Sequence, residues 1–298
     1  MPKVRILHID AFSHIPGKGN PAGVVLNGED YNESQMQMIA AEVGFNETAF
    51  VVSSAITDFR IRYFTPGHEM DLCGHATIGT IFALYREGLL NKTAITIETK
   101  AGVLPIQLRE ENDQLWITMQ QAQPQFVPFE GSAMELAESI GLNEEDLHTD
   151  YPIVYGSTGI WTLIVPVKTL ASFAKMKPQT SSFPSILQEM PSASIHPIGF
   201  EVRDTESTMH ARHFSSPFSG TIEDAVTGTA SGVMGAYYKK YVNANLSLPA
   251  TLVVEQGHEM NKDGKVFVHL QGNEQLNVSI SGPAVYVKEI HIEIEGTN

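Results

Sequence analysis

Two stretches of the chain read as helices that are apolar on nearly every side. The first covers His75–Leu90 and includes Ala76, Ile78, Ile81, Phe82, Ala83, Leu84 and Tyr85. The second covers Thr229–Val242 and includes Val233, Met234, Ala236, Tyr237 and Tyr238. A helix without a polar face cannot lie on a surface, so each must be enclosed by other elements. The segments leading into them echo one another. EMDLCGHAT (69–77) and EDAVTGTAS (223–231) align without gaps, with Glu69 on Glu223, Gly74 on Gly228, Ala76 on Ala230 and Thr77 beside Ser231. A weak duplication, with strands wrapped round a helix in each copy, is the economical reading.

The wrapping strands are visible as alternating or β-rich runs. In the first half they fall at Val4–Phe12, Ala22–Leu26, Thr48–Val52, Phe59–Phe64, Ala94–Thr99, Val103–Leu108 and Leu115–Met119, with a helix over Ser34–Val43 closed by Gly44. The connector QQAQPQFVPFEG then interrupts the pattern and marks a domain boundary. It separates an N-terminal lobe, 1–122, from a C-terminal lobe, 123–283, and the last strand, 284–298, is a candidate to cross back to the first lobe. The second half offers a helix at Ser132–Ile140 and strands at Trp161–Val167, Ile195–Phe200, Thr208–Phe214, Gln275–Ser281 and Ala284–Ile292. Residues 171–192, rich in Ser and Pro, read as a surface helix and loops.

The 298 residues carry a net charge of −15 and no cluster of Lys and Arg. Nucleic acid and anionic membrane are therefore not expected as partners, because both require a basic footprint. The lone cysteine excludes an intramolecular disulfide and any CxxC-based site. The N-terminus lacks the apolar core of a signal peptide, and no apolar run reaches a membrane span. The expectation is a soluble, cytoplasmic protein.

Both echoed segments place a glycine and small or hydroxyl residues at a helix start, where unpaired N–H groups and the positive dipole end could hold a carboxylate or phosphate. The plainer alternative is that these residues only cap their helices. Two carboxylates stand near such positions, Asp224 and Glu47, and either could act as a general acid or base or simply be a solvated acid. His75 could be an acid, a base, a hydrogen-bond donor or a histidine bonded to backbone. Cys73 is either a small buried residue or a thiol whose pKa the helix start lowers. No metal site is expected: His210 and His213 alternate to opposite faces of a strand, and no third ligand is near. The stretch GKGNPAG (17–23) lacks the phosphate-loop pattern and is read as a turn.

Five motifs taken together resemble the PhzF-like phenazine-biosynthesis family: GNPAGVVL (19–26), NETAFV (46–51), FTPGHEMDLCGHATIGT (64–80), EDAVTGTASG (223–232) and EQGHEM (255–260). Their order and spacing match along nearly the whole chain. The resemblance implies an α+β protein of the diaminopimelate-epimerase-like fold. That fold has two pseudo-symmetric lobes, each a β-barrel-like sheet around a central helix, with the active site between them. It also implies Glu47 as general acid/base, with His75 and Asp224 as its catalytic partners. Gly74, Gly228, Thr229, Asn20, Asn46 and Cys73 would then bind substrate. Two departures stand out: Asn46 replaces a serine of the best-known member, and Ala76 follows His75 where proline is common. The related epimerases use two opposed cysteines. The first matches Cys73, whereas the second falls at Thr227, so two-thiol racemisation is not expected. The implied function is an isomerase without cofactor or metal that moves a proton within a small carboxylate-bearing metabolite, as a homodimer. The alternatives are an epimerase or racemase using Glu47 and Asp224, or Cys73, as opposed bases, and a non-catalytic protein that binds small carboxylates.

Overall fold

The structure, a computed structural model, describes residues 3–272 and 274–294. Residues 295–298, the end of the candidate crossing strand, lie outside the described residues. The chain divides into two compact units, Met1–Gln120 with Ser281–Asn298, and Gln121–Ile280.

The first unit contains β1 (Lys3–Ala11), β2 (Asn20–Val25), α1 (Glu33–Val43), β3 (Glu47–Val52), β4 (Phe59–Phe64), β5 (Glu69–Met70), α2 (Gly74–Arg86), β6 (Ala94–Thr99), β7 (Gly102–Glu111) and β8 (Gln114–Gln120). β1 lies between two antiparallel neighbours. On one side is β2, with Ala11 opposite Asn20; on the other is the C-terminal strand Ala284–Glu293, with Val4 opposite Ile292. β3 runs parallel to β2, and Ala22 faces Glu47. The register therefore brings the first residues of β2 and β3, Asn20 and Glu47, to the same end of the sheet.

β1 is buried on both faces along most of its length, which explains its near-continuous apolar run. One face meets α2, which packs against β1, β2, β3, β8 and the C-terminal strand. Met36, Ile39 and Ala40 of α1 join Val4, Ile6, Val25, Phe50 and Phe64 in a second layer. Each fully buried Ile or Leu of α2, such as Ile78, Ile81 and Leu84, contributes about 1.5–3 kcal/mol relative to exposure. α1 begins with a reciprocal cap between Asn32 and Gln35 and ends at Gly44, whose φ of 70° is one that side chains resist. α2 stops at Arg86, short of Leu90. Gly88 takes a φ of 73° and the Leu89 N–H turns back to the Leu84 carbonyl, which closes the helix.

The second unit contains β9 (Gln125–Pro128), α3 (Ala133–Ser139), β10 (Val154–Ser157), β11 (Trp161–Pro166), α4 (Leu170–Lys175), α5 (Phe183–Ile186), β12 (Ser194–Gly199), β13 (Met209–Ala211), α6 (Gly228–Tyr237), β14 (Ala250–Gln256) and β15 (Gly264–Gln271). α6 is buried at every position and packs against β10 and β15. It leads into a π-helical turn, Tyr238–Val242, which is the end of the apolar stretch read from the sequence.

Three local expectations are corrected here. The connector after residue 120 contains a strand, β9, which pairs with β10; its Phe126 meets Tyr241 edge-on at 5.5 Å. A single aromatic anchor outweighs the Gln and Pro content of that segment. Residues 171–192 are not merely a surface region: Phe173, Phe183 and Leu187 are fully buried in the core with Leu136, Ile140 and Phe214. The strand read over Thr208–Phe214 is regular only at Met209–Ala211, and Phe214 makes isolated bridges to Ile195 and Glu223.

Candidate active site

At the start of α2 the N-cap is Cys73, in extended conformation (φ −139°, ψ 119°), and its side chain does not cap the helix. His75, in the first turn, is 4% exposed and can only face inward. Its Nδ1 lies 3.0 Å from the Asn20 side-chain nitrogen and its Nε2 lies 3.1 Å from Glu47 Oε2. The Cys73 sulfur is 3.4 Å from Nδ1 and 3.9 Å from Nε2. The first residues of two parallel strands and the first turn of a buried helix thus converge on one imidazole. The Glu47–His75 contact is an ion pair by distance but not a hydrogen bond by alignment, and Glu47 Oε2 is a buried carboxylate oxygen with no hydrogen bond. Asn46 is half-buried immediately before it.

Burial pulls the His75 imidazole down, but the neighbouring Cys73 sulfur and the Glu47 carboxylate prevail and hold it well above its ordinary value. Burial pushes the Cys73 thiol up to about 11, and the Glu47 charge adds to the rise. At neutral pH Cys73 is therefore a thiol. The Asn20 amide can serve either form of the ring: its NH₂ donates to neutral Nδ1, and its oxygen, turned by half a rotation, accepts from the imidazolium.

At the start of α6 the N-cap is Thr227, also extended (φ −115°, ψ 102°) and also not capping. Its hydroxyl donates instead to Asp224 Oδ2 at 2.7 Å. Gln256 holds this corner: its Oε1 accepts from the Thr227 N–H at 3.1 Å, and its Nε2 donates to the Asp224 carbonyl at 2.8 Å. Gly228 and Thr229 follow, buried, and the Thr229 carbonyl accepts from the Thr158 hydroxyl at 3.1 Å. Gln256 lies in the EQGHEM motif, and it is a site residue that sequence reasoning did not single out; the motif itself was the available signal. Glu255 of the same motif sits in a buried charged cluster. Glu255 takes His210 Nδ1 at 2.8 Å and the backbone N–H groups of Arg203 and Asp204. His213 lies elsewhere, 3.0 Å from His196 Nδ1, so the two histidines do occupy separate surroundings.

The structure thus groups Glu47, His75, Cys73, Gly74 and Asn20 at one helix start, and Asp224, Gly228 and Thr229 at the other. Glu47, Cys73 and His75 also offer ligand atoms within 4.8 Å of one another.

Comparison with known proteins places this arrangement in a class. The solved hydroxyproline epimerase of Agrobacterium vitis matches with a TM-score of 0.63 over 98% of this chain and 91% of that one, at 9% identity, which defines a diaminopimelate-epimerase-like α+β fold. The model of the PhzC-PhzF family, described as phenazine biosynthesis-like protein, matches residues 9–290, and the chain belongs to that family. The crystal structure of the Bacillus anthracis phenazine biosynthesis protein of the PhzF family is similar at a TM-score of 0.96 and 55% identity, covering 99% of this chain and 100% of that one. The uncharacterized isomerase YfhB of Bacillus subtilis is 50% identical over 96% of this chain and 97% of its own length. The trans-2,3-dihydro-3-hydroxyanthranilate isomerase of Pseudomonas aeruginosa is 28% identical over 93% of this chain and 95% of its own. The chain is an enzyme of the isomerase class acting on small molecules. Among the described residues no helix is long and apolar enough to cross a membrane.

Proposed function

We propose that this isomerase moves a proton within a small carboxylate-bearing metabolite, using its own side chains as acid and base, with Glu47 as the general acid/base. The observation that carries this reading is the Glu47 carboxylate itself. One oxygen is buried, free of hydrogen bonds and 3.1 Å from an imidazole that Asn20 orients. An oxygen not already engaged by donors is open to a substrate proton, and the imidazolium beside it can stabilise the charge that develops on substrate. Gly74 and Gly228, each following an N-cap whose side chain does not cap its helix, offer N–H groups suited to the substrate carboxylate. Asn46 beside Glu47 is proposed to contact substrate, and Asp224 and Thr229 are proposed in the same role at the start of α6. The named activity of the Pseudomonas aeruginosa relative supports a cyclic amino-carboxylate as the substrate class.

A racemase with two opposed thiols is disfavoured, since burial keeps Cys73 protonated and Thr227 spends its hydroxyl on Asp224. The working form is proposed to be a cytoplasmic homodimer, which light scattering on the purified chain and localisation in cells would check. The decisive experiment is to screen cyclic and amino-acid-like carboxylates in deuterated buffer and follow incorporation by mass spectrometry, with Glu47→Gln as control. Incorporation that survives Glu47→Gln at the wild-type rate would sink the assignment.

A further inference from the structure

The start of α2 gathers three donor atoms of different chemistry: a carboxylate oxygen of Glu47, the sulfur of Cys73 and a ring nitrogen of His75, all within 4.8 Å of one another. His75 Nε2 is 3.1 Å from Glu47 Oε2 and 3.9 Å from Cys73 Sγ. A four-coordinate zinc ion holds its O, N and S ligands roughly 3.4–3.6 Å apart, as its bond lengths and tetrahedral angle require. The two edges that meet at His75 lie within a few tenths of an ångström of that geometry, and the Glu47–Cys73 edge lies within the 4.8 Å that bounds the cluster.

Two further observations point the same way. His75 is held through Nδ1 by Asn20, which leaves Nε2 directed at Glu47, and ligating histidines are commonly oriented through their other nitrogen. Glu47 Oε2 is buried without a hydrogen bond, so its lone pairs are uncommitted, while the Glu47 side chain keeps 13% of its surface exposed, leaving a route in. The other histidine clusters lack this freedom. Glu255 is already saturated by His210 and two backbone N–H groups, and His196 has its two nitrogens committed to His213 and Met234.

We propose that Glu47, Cys73 and His75 form a binding site for a thiophilic divalent cation of zinc's class, with a fourth position left for water. The inference rests on the donor geometry and goes beyond the proposed function. Coordination transfers no electrons: a sulfur–metal bond forms, and the Cys73 thiol proton leaves to solvent.

Cobalt(II) is the probe. Titrated into the full chain in slightly alkaline buffer free of added thiol, it should produce a near-ultraviolet thiolate-to-cobalt band and the visible bands of a four-coordinate ion. These should saturate at one ion per chain, be displaced by zinc and be untouched by magnesium. The chain has a single cysteine, so the near-ultraviolet band reports on Cys73 alone. Cys73→Ala should abolish it, and Asn20→Ala should weaken binding by about 10–100-fold. If Cys73→Ala does not fold, zinc protection of Cys73 from alkylation in the native chain carries the same test. The absence of the band at millimolar cobalt, its survival in Cys73→Ala, or alkylation unaffected by zinc would overturn the proposal. A bound ion that leaves deuterium exchange intact would support this site while overturning Glu47 as the base, so the two readings fail separately.

Discussion

At the start of α2 the chain places an imidazole, a thiol and a carboxylate; at the start of α6 the same backbone carries two threonines and an aspartate pinned by a glutamine. The scaffolds beneath correspond closely. Glu69 takes both arms of Arg62 at 2.7 and 2.8 Å, and Glu223 takes both arms of Arg212 at 2.8 and 2.6 Å. Each arginine stacks over a phenylalanine two residues on, Arg62 on Phe64 at 5.1 Å and Arg212 on Phe214 at 4.8 Å. Thr77 and Ser231 each return a hydroxyl to the N-cap carbonyl, at 2.7 and 2.8 Å. The two starts share what holds a helix start in place and differ in their chemistry. His75 stands where Thr229 does, Cys73 where Thr227 does, and Asp224 where Met70 does. A chain that needed mirror-image bases would have kept the reactive pair alike. This one keeps an imidazole beside a carboxylate at α2 and a hydrogen-bonded carboxylate at α6.

Removing the proposed base from one side only should have the largest effect. Glu47→Gln should lower proton exchange by about 10²–10⁴-fold, the range for a positioned general acid/base, whereas Asp224→Asn should cost less if its carboxylate mainly organises Thr227. Both are measured as deuterium incorporation under single-turnover conditions. Equal losses would mean that the two starts share the proton chemistry after all.

The two arginine–glutamate pairs of the scaffold differ in burial. Arg212 is nearly buried and also donates to the carbonyls of Phe173 and Met176, which Arg62 has no counterpart for among its hydrogen bonds to Glu69 and Glu33. Arg212→Met should therefore cost about 3–5 kcal/mol by stranding Glu223, and Arg62→Met less, as read by urea unfolding. A larger loss for Arg62→Met would reverse the ranking of the two pairs.

Acid stability separates the units further. Burial alone would raise the Glu255 and Glu259 carboxylates, but His210 and neighbouring N–H groups more than offset it and hold both at about 2, below their ordinary 4.5. Depressed carboxylates stabilise the fold above the unfolded value, so this contribution is complete above about pH 4.5 and disappears as pH falls toward 2. His210, raised by the same partners against its own burial, contributes fully below about 6.5 and loses that contribution as pH climbs through its elevated value. His75 adds an alkaline loss of the same sign in the first unit. Glu255→Gln should flatten the acid limb of thermal stability and cost about 1–3 kcal/mol at neutral pH, the penalty for weakening a buried charged hydrogen-bond set. An unchanged acid limb would show that other carboxylates set it.

Much of this is legible in the amino-acid sequence. The all-round apolar helices require enclosing strands, and the gapless echo anticipates that Glu69 and Glu223 do the same job. It cannot reveal their partners, because Arg62 and Arg212 lie at different distances from their glutamates, seven residues in one unit and eleven in the other. Glu47 and His75 can each be singled out by motif. Their approach to 3.1 Å depends on a parallel pairing of β2 with β3 and on the inward rotation of α2, and neither is written in local spacing. Gln256 is hidden for the same reason, since its role is to reach across from β14 to a loop about thirty residues earlier. The buried Phe173 and Phe183 are masked by the Ser and Pro around them, where composition outvotes two anchors.

The smallest change gives the cleanest reading of the asymmetry. Thr227→Cys would give α6 the thiol that α2 has, at the cost of one hydroxyl bond to Asp224, roughly 1 kcal/mol in unfolding experiments. If missing sulfur were all that separated this enzyme from a racemase, the variant should invert a labelled stereocentre. Inversion is not expected, because the thiol already present at Cys73 is held at about 11 by burial and by the Glu47 charge, and a second protonated thiol adds no base. The variant should instead keep the wild-type exchange pattern with slightly lower stability. Chiral analysis after exchange in deuterated buffer would check this. Inversion there would show that the α2 cluster can ionise its thiol once α6 carries one too, and that the divergence of the two starts rests on the side chain at residue 227.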